Sequence, residues 1–287
     1  MQAIRSILVV VDPKHPELLA LKRAQLIAGV TQSHLHLLHC SAKAEQKQWL
    51  DALIEVVREQ GYSVSGSQAW AGSPHQTVIE AQQTEGCALV IKQHIPDNPL
   101  KKAILTPDDW KLLRYCPTPV LMTKTSEPWH SGAIIAAVDA GNSDSEHRTL
   151  HDGIVSYAYD IAQLAQATAH ILSAYPSPML AAADPTFQLK ETIEAFYRLQ
   201  CAELQKKYAI SNDQLHLVEG PADAVIPQET TRLHAVLTII GTVARTGISG
   251  ALLGNTAEVI LDTIESDILV FKPDNLLEHL EDVVAQR

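Results

Sequence analysis

Apolar runs of roughly four to eight residues alternate along this chain with longer stretches in which apolar positions recur every three or four residues. The first pattern marks buried strands and the second amphipathic helices. In the first half, strands are expected near 6–11, 34–40, 63–70, 88–92 and 119–123. In the second half they are expected near 133–139, 169–175, 215–219, 236–240 and 268–272, with helices near 146–166, 187–208, 222–233 and 255–264. Such alternation predicts β-α units on a parallel sheet.

The pattern occurs twice. SILVVVDP (Ser6–Pro13) and AIIAAVDA (Ala133–Ala140) each read as a buried strand ending in Asp. AWAGSP (Ala69–Pro74) is echoed by LVEGP (Leu217–Pro221), and CPTPVLMTK (Cys116–Lys124) by SDILVFKPD (Ser266–Asp274). A fixed order of markers is the signature of an internal repeat. It gives two domains, 1–125 and 132–275, followed by a C-terminal helical tail at 276–287. TSEPWHSG (Thr125–Gly132), with its Pro, Ser and Gly, is expected to link them. Asp12, Asp139 and the loop after residue 240 then fall at carboxyl ends of strands, where open parallel sheets take their ligands.

Charge narrows the partners. The net charge of −11 over 287 residues is uneven: residues 1–128 hold 13 Lys and Arg against 12 Asp and Glu, while residues 129–287 hold 9 against 21. A field of that sign repels nucleic acid and anionic lipid surfaces, so neither is an expected partner. No apolar segment approaches the length of a membrane span. The four cysteines, Cys40, Cys87, Cys116 and Cys201, are scattered, which suits reduced thiols and a cytoplasmic protein.

Candidate chemistry centres on GTVARTGISGALLGNTAE (Gly241–Glu258). Glycines after a strand and before a helix let backbone N–H groups approach an anion. Neither G-x-x-x-x-G-K-[ST] nor G-x-G-x-x-G occurs. Gly241 is instead followed thirteen positions later by Gly254. With the repeat, the Asp-ended strands, GNTAE, GTVARTGIS and LTPDDWKLLRYCPTPVLM, the chain resembles the universal stress protein family in its tandem form, over nearly its whole length. The resemblance implies two doubly wound α/β domains with parallel five-stranded sheets in the order 3-2-1-4-5. It also implies an internal pseudo-dimer through the last strands, at 119–123 and 268–272, with further dimerisation left open. The implied role is stress resistance, through a small ligand and partner proteins.

Nucleotide-binding members of that family carry G-x-x-G, nine residues, then G followed by Ser or Thr. Carried onto this chain, the positions are Gly241, Ala244, Gly254 and Asn255, with Arg245 beside the phosphates and Asp139 near adenine and ribose. ATP is thus the candidate cofactor, in the second domain only. Two positions depart from the pattern. Ala at 244 costs about 1 kcal/mol where a left-handed conformation is required, and Asn255 fits a helix cap as well as a phosphate contact. Asp139 likewise reads equally as a cap of its loop. In the first domain Lys92, Ile95 and Leu105 stand at the glycine positions, Thr106 at the Ser/Thr position and Asp12 at the strand end. Pro96, Pro99 and Pro107 remove backbone donors there, so this copy is expected to be scaffold.

Two rival readings remain at this level. One is a weak ATP hydrolase or nucleotide sensor using the second domain; the other is a carrier of an apolar or lipid-intermediate ligand around Ile95 and Leu105 in the first. No pairing of nucleophile and base is visible, so no catalytic residue is assigned. His34 and His36 in HLHLLHC share one strand face and could form half of a zinc site, but no Cys pair or H-E-x-x-H completes it.

Overall fold

A computed structural model describes residues 4–43, 46–95, 108–142, 144–178, 189–242 and 260–272. The chain divides into two compact units with their boundary between Ser126 and Glu127. In the first, β1 (Ser6–Val10), α1 (Leu19–Thr31), β2 (His34–Cys40), α2 (Lys47–Glu59), β3 (Val64–Ala69), α3 (Pro74–Glu85), β4 (Leu89–Gln93), α4 (Asp108–Tyr115) and β5 (Val120–Thr123) follow in order. The strands are parallel and lie in the order β3-β2-β1-β4-β5.

The second unit repeats the plan. It holds β6 (Ala133–Ala137), α5 (Ser145–Ala165), β7 (Thr168–Tyr175), α6 (Lys190–Tyr208), a 3-10 turn (Asn212–Gln214), β8 (Leu215–Glu219), α7 (Ala222–Arg232), β9 (Ala235–Gly241) and β10 (Asp267–Phe271). Its parallel strands lie in the order β8-β7-β6-β9-β10. Both sheets therefore have the 3-2-1-4-5 order. Of the helix expected at 255–264, the described part is helical at 260–263.

Burial explains why the strand runs are so apolar. Ile7, Leu8 and Val9 on β1 are consecutive and fully buried, which requires cover on both sheet faces. Local signals set the helix starts. Ser73 caps α3 by accepting from Gln76 N, with Pro74 as the first helical residue. Asp144 caps α5 by accepting from His147 N at 2.8 Å.

Two expectations are corrected. The 125–132 segment is not a linker throughout: Trp129 is only 1% exposed and its indole N–H donates to Asp267 Oδ2 on β10 at 2.9 Å, which fixes it in the second unit. Strand register also moves one equivalence. With Asp12 matched to Asp139, Ile7 pairs with Leu89 and Ile134 with Leu237. Gln93 then stands where Gly241 does, and Lys92 stands where Ile240 does. Among the described residues no helix is long and apolar enough to cross a membrane.

Candidate functional site

In the second unit the strand order reverses between β6 and β9, and the crevice at their carboxyl ends is where such sheets take ligands. A cavity of about 490 Å³ lies there, with Asp139, His147, His151, Tyr197, Gly241 and Thr242 among its walls. Its floor is apolar and comes from Leu150 and Ile154 of α5, Leu172 of β7 and Ile226 of α7. Sequence places the floor there because α5 packs closely on β9. A Cβ at Gly241 would lie 2.6 Å from Leu150 Cδ2 and 3.0 Å from Ile154 Cδ1. The glycine is needed for that approach, whatever it does for a ligand.

The loop after β6 is tied down at each of its first three backbone donors. Val138 N–H donates to Leu172 O at 2.9 Å. Asp139 N–H donates to His151 Nε2 at 3.2 Å, and Ala140 N–H donates to Ser173 Oγ at 3.2 Å. His151 must therefore be neutral with its proton on Nδ1. Burial holds it there, lowering its pKa to about 4, with the neighbouring His147 adding to the effect and Asp144 opposing it. His147 donates Nδ1–H to the Asp144 carboxylate at 2.8 Å and accepts at Nε2 from Asn142 Nδ2 at 3.2 Å. Its ring centroid lies 6.0 Å from that of His151.

Two tyrosines close the other side. Tyr175 of β7 and Tyr197 of α6 have ring centroids 5.8 Å apart. Burial, and then the Asp139 charge, raise the Tyr197 phenol pKa, so it remains a hydrogen-bond donor. Its hydroxyl sits where a side chain at residue 141 would begin: a Cβ on Gly141 would be 2.2 Å from Tyr197 Oη. A site with this lining can hold a planar group on an apolar floor, with a carboxylate and a phenol at the mouth. Among the described residues that line it, none is Lys or Arg.

The structure thus brings Asp139 and Gly241 into one cavity, while Ala244, Arg245, Gly254 and Asn255 lie outside the described residues. His147, His151, Tyr175 and Tyr197 escaped the sequence reading. The i, i+4 histidines just after a strand-end Asp were a usable signal. Tyr197 was not, because it arrives from a helix far along the chain.

The matching cavity of the first unit is about 200 Å³ and includes Asp12, His39, Cys40, Lys92, Gln93 and Ile95. Asp12 Oδ1 accepts from Lys14 N at 3.0 Å, a loop-capping contact. Lys92 Nζ lies 2.7 Å from Asp109 Oδ1, and His94 Nδ1 lies 2.7 Å from Asp109 Oδ2. Burial would raise the Asp109 pKa, but Lys92 and then His94 outweigh it, so the carboxylate stays ionised. The pocket at Ile95 is largely apolar, with Val10, Val11, Leu18 and Leu21 in its wall, but it is small, and Ile95 itself is 43% exposed. Leu105 and Thr106 lie outside the described residues. His34 and His36 spend their ring nitrogens on serines: His34 on Ser63 and Ser65, His36 on Ser65 and Ser67. No group of three or more metal-ligating side chains occurs among the described residues.

Comparison with known proteins places this geometry. A model described as the universal stress protein family matches residues 3–124 and 132–272. Universal stress protein E of Escherichia coli K12 is 30% identical over 303 residues, covering 96% of each chain. A crystal structure of a functionally unknown protein from Pseudomonas aeruginosa PAO1 is 62% identical, with a TM-score of 0.89 over 100% of this chain and 99% of that one. A universal stress protein from Archaeoglobus fulgidus shares the fold at a TM-score of 0.68 and 14% identity, over 93% of this chain and 96% of its own.

Proposed function

The chain belongs to the universal stress protein family, and on that premise we propose that its second domain binds a small ligand of adenine-nucleotide type while its first serves as scaffold. The protein then acts in stress resistance through partner proteins. The observation that carries this reading is the contrast between the two switch-point cavities, about 490 Å³ against about 200 Å³. Ligand pockets span about 300–1,000 Å³, a range that includes the second and excludes the first.

In this reading the base lies on Leu150, Ile154 and Leu172, and Asp139 and Tyr197 address the ribose hydroxyls. Phosphates are assigned to Gly241, Gly254 and Asn255 from the family pattern, with Arg245 as the loop cation that could meet them. Titration of the intact chain with adenosine, AMP and ATP by calorimetry, beside native mass spectrometry, tests it. One nucleotide per chain is expected, and absence of binding by all three would overturn the reading. Gly141→Ala probes the same wall, since its Cβ must displace the Tyr197 hydroxyl. Loss of one hydrogen bond of about 1 kcal/mol and some ring contact should weaken the nucleotide's Kd about tenfold.

A further inference from the structure

Away from the cavity, β7, β8 and α7 bring two histidines and an arginine into one hydrogen-bonded chain. His170 Nδ1 on β7 lies 3.0 Å from His216 Nε2 on β8, and the two rings stack with centroids 5.2 Å apart. Arg232, at the last residue of α7, places Nη2 3.0 Å from His216 Nδ1. The guanidinium is itself held by Glu229, whose Oε2 accepts from Nε at 2.8 Å and from Nη2 at 2.6 Å.

The chemistry of the donors fixes every direction in this chain. A guanidinium only donates, so His216 Nδ1 must accept and its proton must sit on Nε2. That proton points at His170 Nδ1, which must accept in turn. Both imidazoles are therefore required to be neutral. A proton added to His170 sets N–H against N–H; moving the His216 proton to relieve that sets N–H against the guanidinium.

The first domain shows the same place built without this constraint. Strand register matches His36 to His170 and Ser67 to His216. His36 Nε2 meets Ser67 Oγ at 2.8 Å, and a hydroxyl turns to donate or accept as needed. Protonation of His36 costs that contact nothing.

We propose that the His170–His216–Arg232 chain is a proton-sensing latch, in which acidification sets donor against donor and frees α7 from β8. The consequence reaches the cavity, because Ala222 and Ile226 of α7 are part of its wall. The charged groups facing the pair are Asp213 from the 3-10 turn and Glu229 and Arg232 from α7. Burial comes first in lowering both histidine pKa values; the Arg232 charge adds to it, while Asp213, and Glu229 at His216, pull the other way. Since the folded values lie below the ordinary 6.5, the contribution is complete above pH 6.5 and lost as pH falls below it.

The test needs no ligand, so it stands apart from the nucleotide reading. Two-bond ¹H–¹⁵N NMR of the intact chain at pH 7.5 should show both imidazoles protonated on Nε2. An Nδ1–H tautomer at His216 would overturn the latch without any variant. In denaturant titrations between pH 7.5 and 5.5, each histidine held neutral lowers the folding equilibrium by at most about tenfold per pH unit below 6.5. His216→Ser installs the first domain's arrangement and should make the acid-induced loss smaller, by up to about tenfold at pH 5.5. His151 titrates in both proteins and cancels. Equal losses in wild type and variant would sink the proposal.

Discussion

Replacing Trp129 with alanine is expected to destabilise the second domain by about 4 kcal/mol, within the range of about 3–5 for truncating a buried aromatic. The indole is 1% exposed and among the largest fully buried side chains of the protein. Truncation removes its apolar surface and leaves a void that the surrounding strands cannot fill without moving. It also withdraws a donor from Asp267 Oδ2, on a residue with no exposed surface, and a buried carboxylate that loses a hydrogen bond is costly. Trp129→Phe separates the two effects, because it keeps most of the volume and loses the N–H; about 2 kcal/mol is expected there. Urea unfolding followed by circular dichroism, with hydrogen exchange on β9 and β10 to assign the domain, measures both. A loss below about 1 kcal/mol for alanine would mean that the 127–132 segment is not part of the core. Against a total domain stability of about 5–15 kcal/mol, the expected loss is large.

Trp129 also shows where sequence reading reached its limit. Pro128, Ser131 and Gly132 around it carry the composition of a linker, and Ser131 does take a positive φ of 59°. Composition describes the backbone turns correctly and says nothing of the one side chain that anchors the segment. The inner strands were legible as short apolar runs buried on both faces, whereas β3 and β8 are more polar and half-buried, and each expected strand lies within two residues of its observed bounds. One equivalence was misplaced although the register was legible. Lys92 was set on Gly241, whereas ALVIKQ laid letter for letter on VLTIIG puts Gln93 there, as the hydrogen-bonded partners do. A one-residue shift in equivalence exchanges the two faces of a strand, and Lys92, matched to Ile240 rather than to Gly241, reaches Asp109. In the site, Asp139 and Gly241 were visible as punctuation at strand ends. Tyr197 is brought in by tertiary packing of α6, and the neutrality of His151 follows from a contact to a backbone N–H that no pattern of letters encodes.

That neutrality makes acid the second large perturbation. Between pH 6.5 and 4 the second domain is expected to lose about 3 kcal/mol through His151 alone, since its pKa falls from 6.5 to about 4 on folding and each unit is about 1.4 kcal/mol. The sign follows from which state binds protons. Above pH 6.5 both folded and unfolded forms hold the imidazole neutral and its contribution is complete. As pH falls below 6.5 the unfolded chain takes up a proton that the folded site refuses, and stability drops until the folded value is reached. The structural cause is specific: an imidazolium has no lone pair at Nε2, so it cannot accept from Asp139 N–H. In the folded protein that tie breaks only at about pH 4, where the β6 loop at the cavity mouth is freed, so ligand affinity should hold down to about pH 4 and decline there. His151→Gln keeps an acceptor within reach of Asp139 and cannot titrate; it should flatten most of this loss in urea unfolding measured at pH 7.5, 6.5, 5.5 and 4.5. Combined with His216→Ser, which removes the His216 contribution, the double variant should show a smaller dependence on pH than either single variant. The remainder comes from histidines that burial still shifts down, His170 and His36 among them. A wild-type profile already flat from 6.5 to 4.5 would mean that His151 takes its proton in place and that Asp139 N–H finds another acceptor.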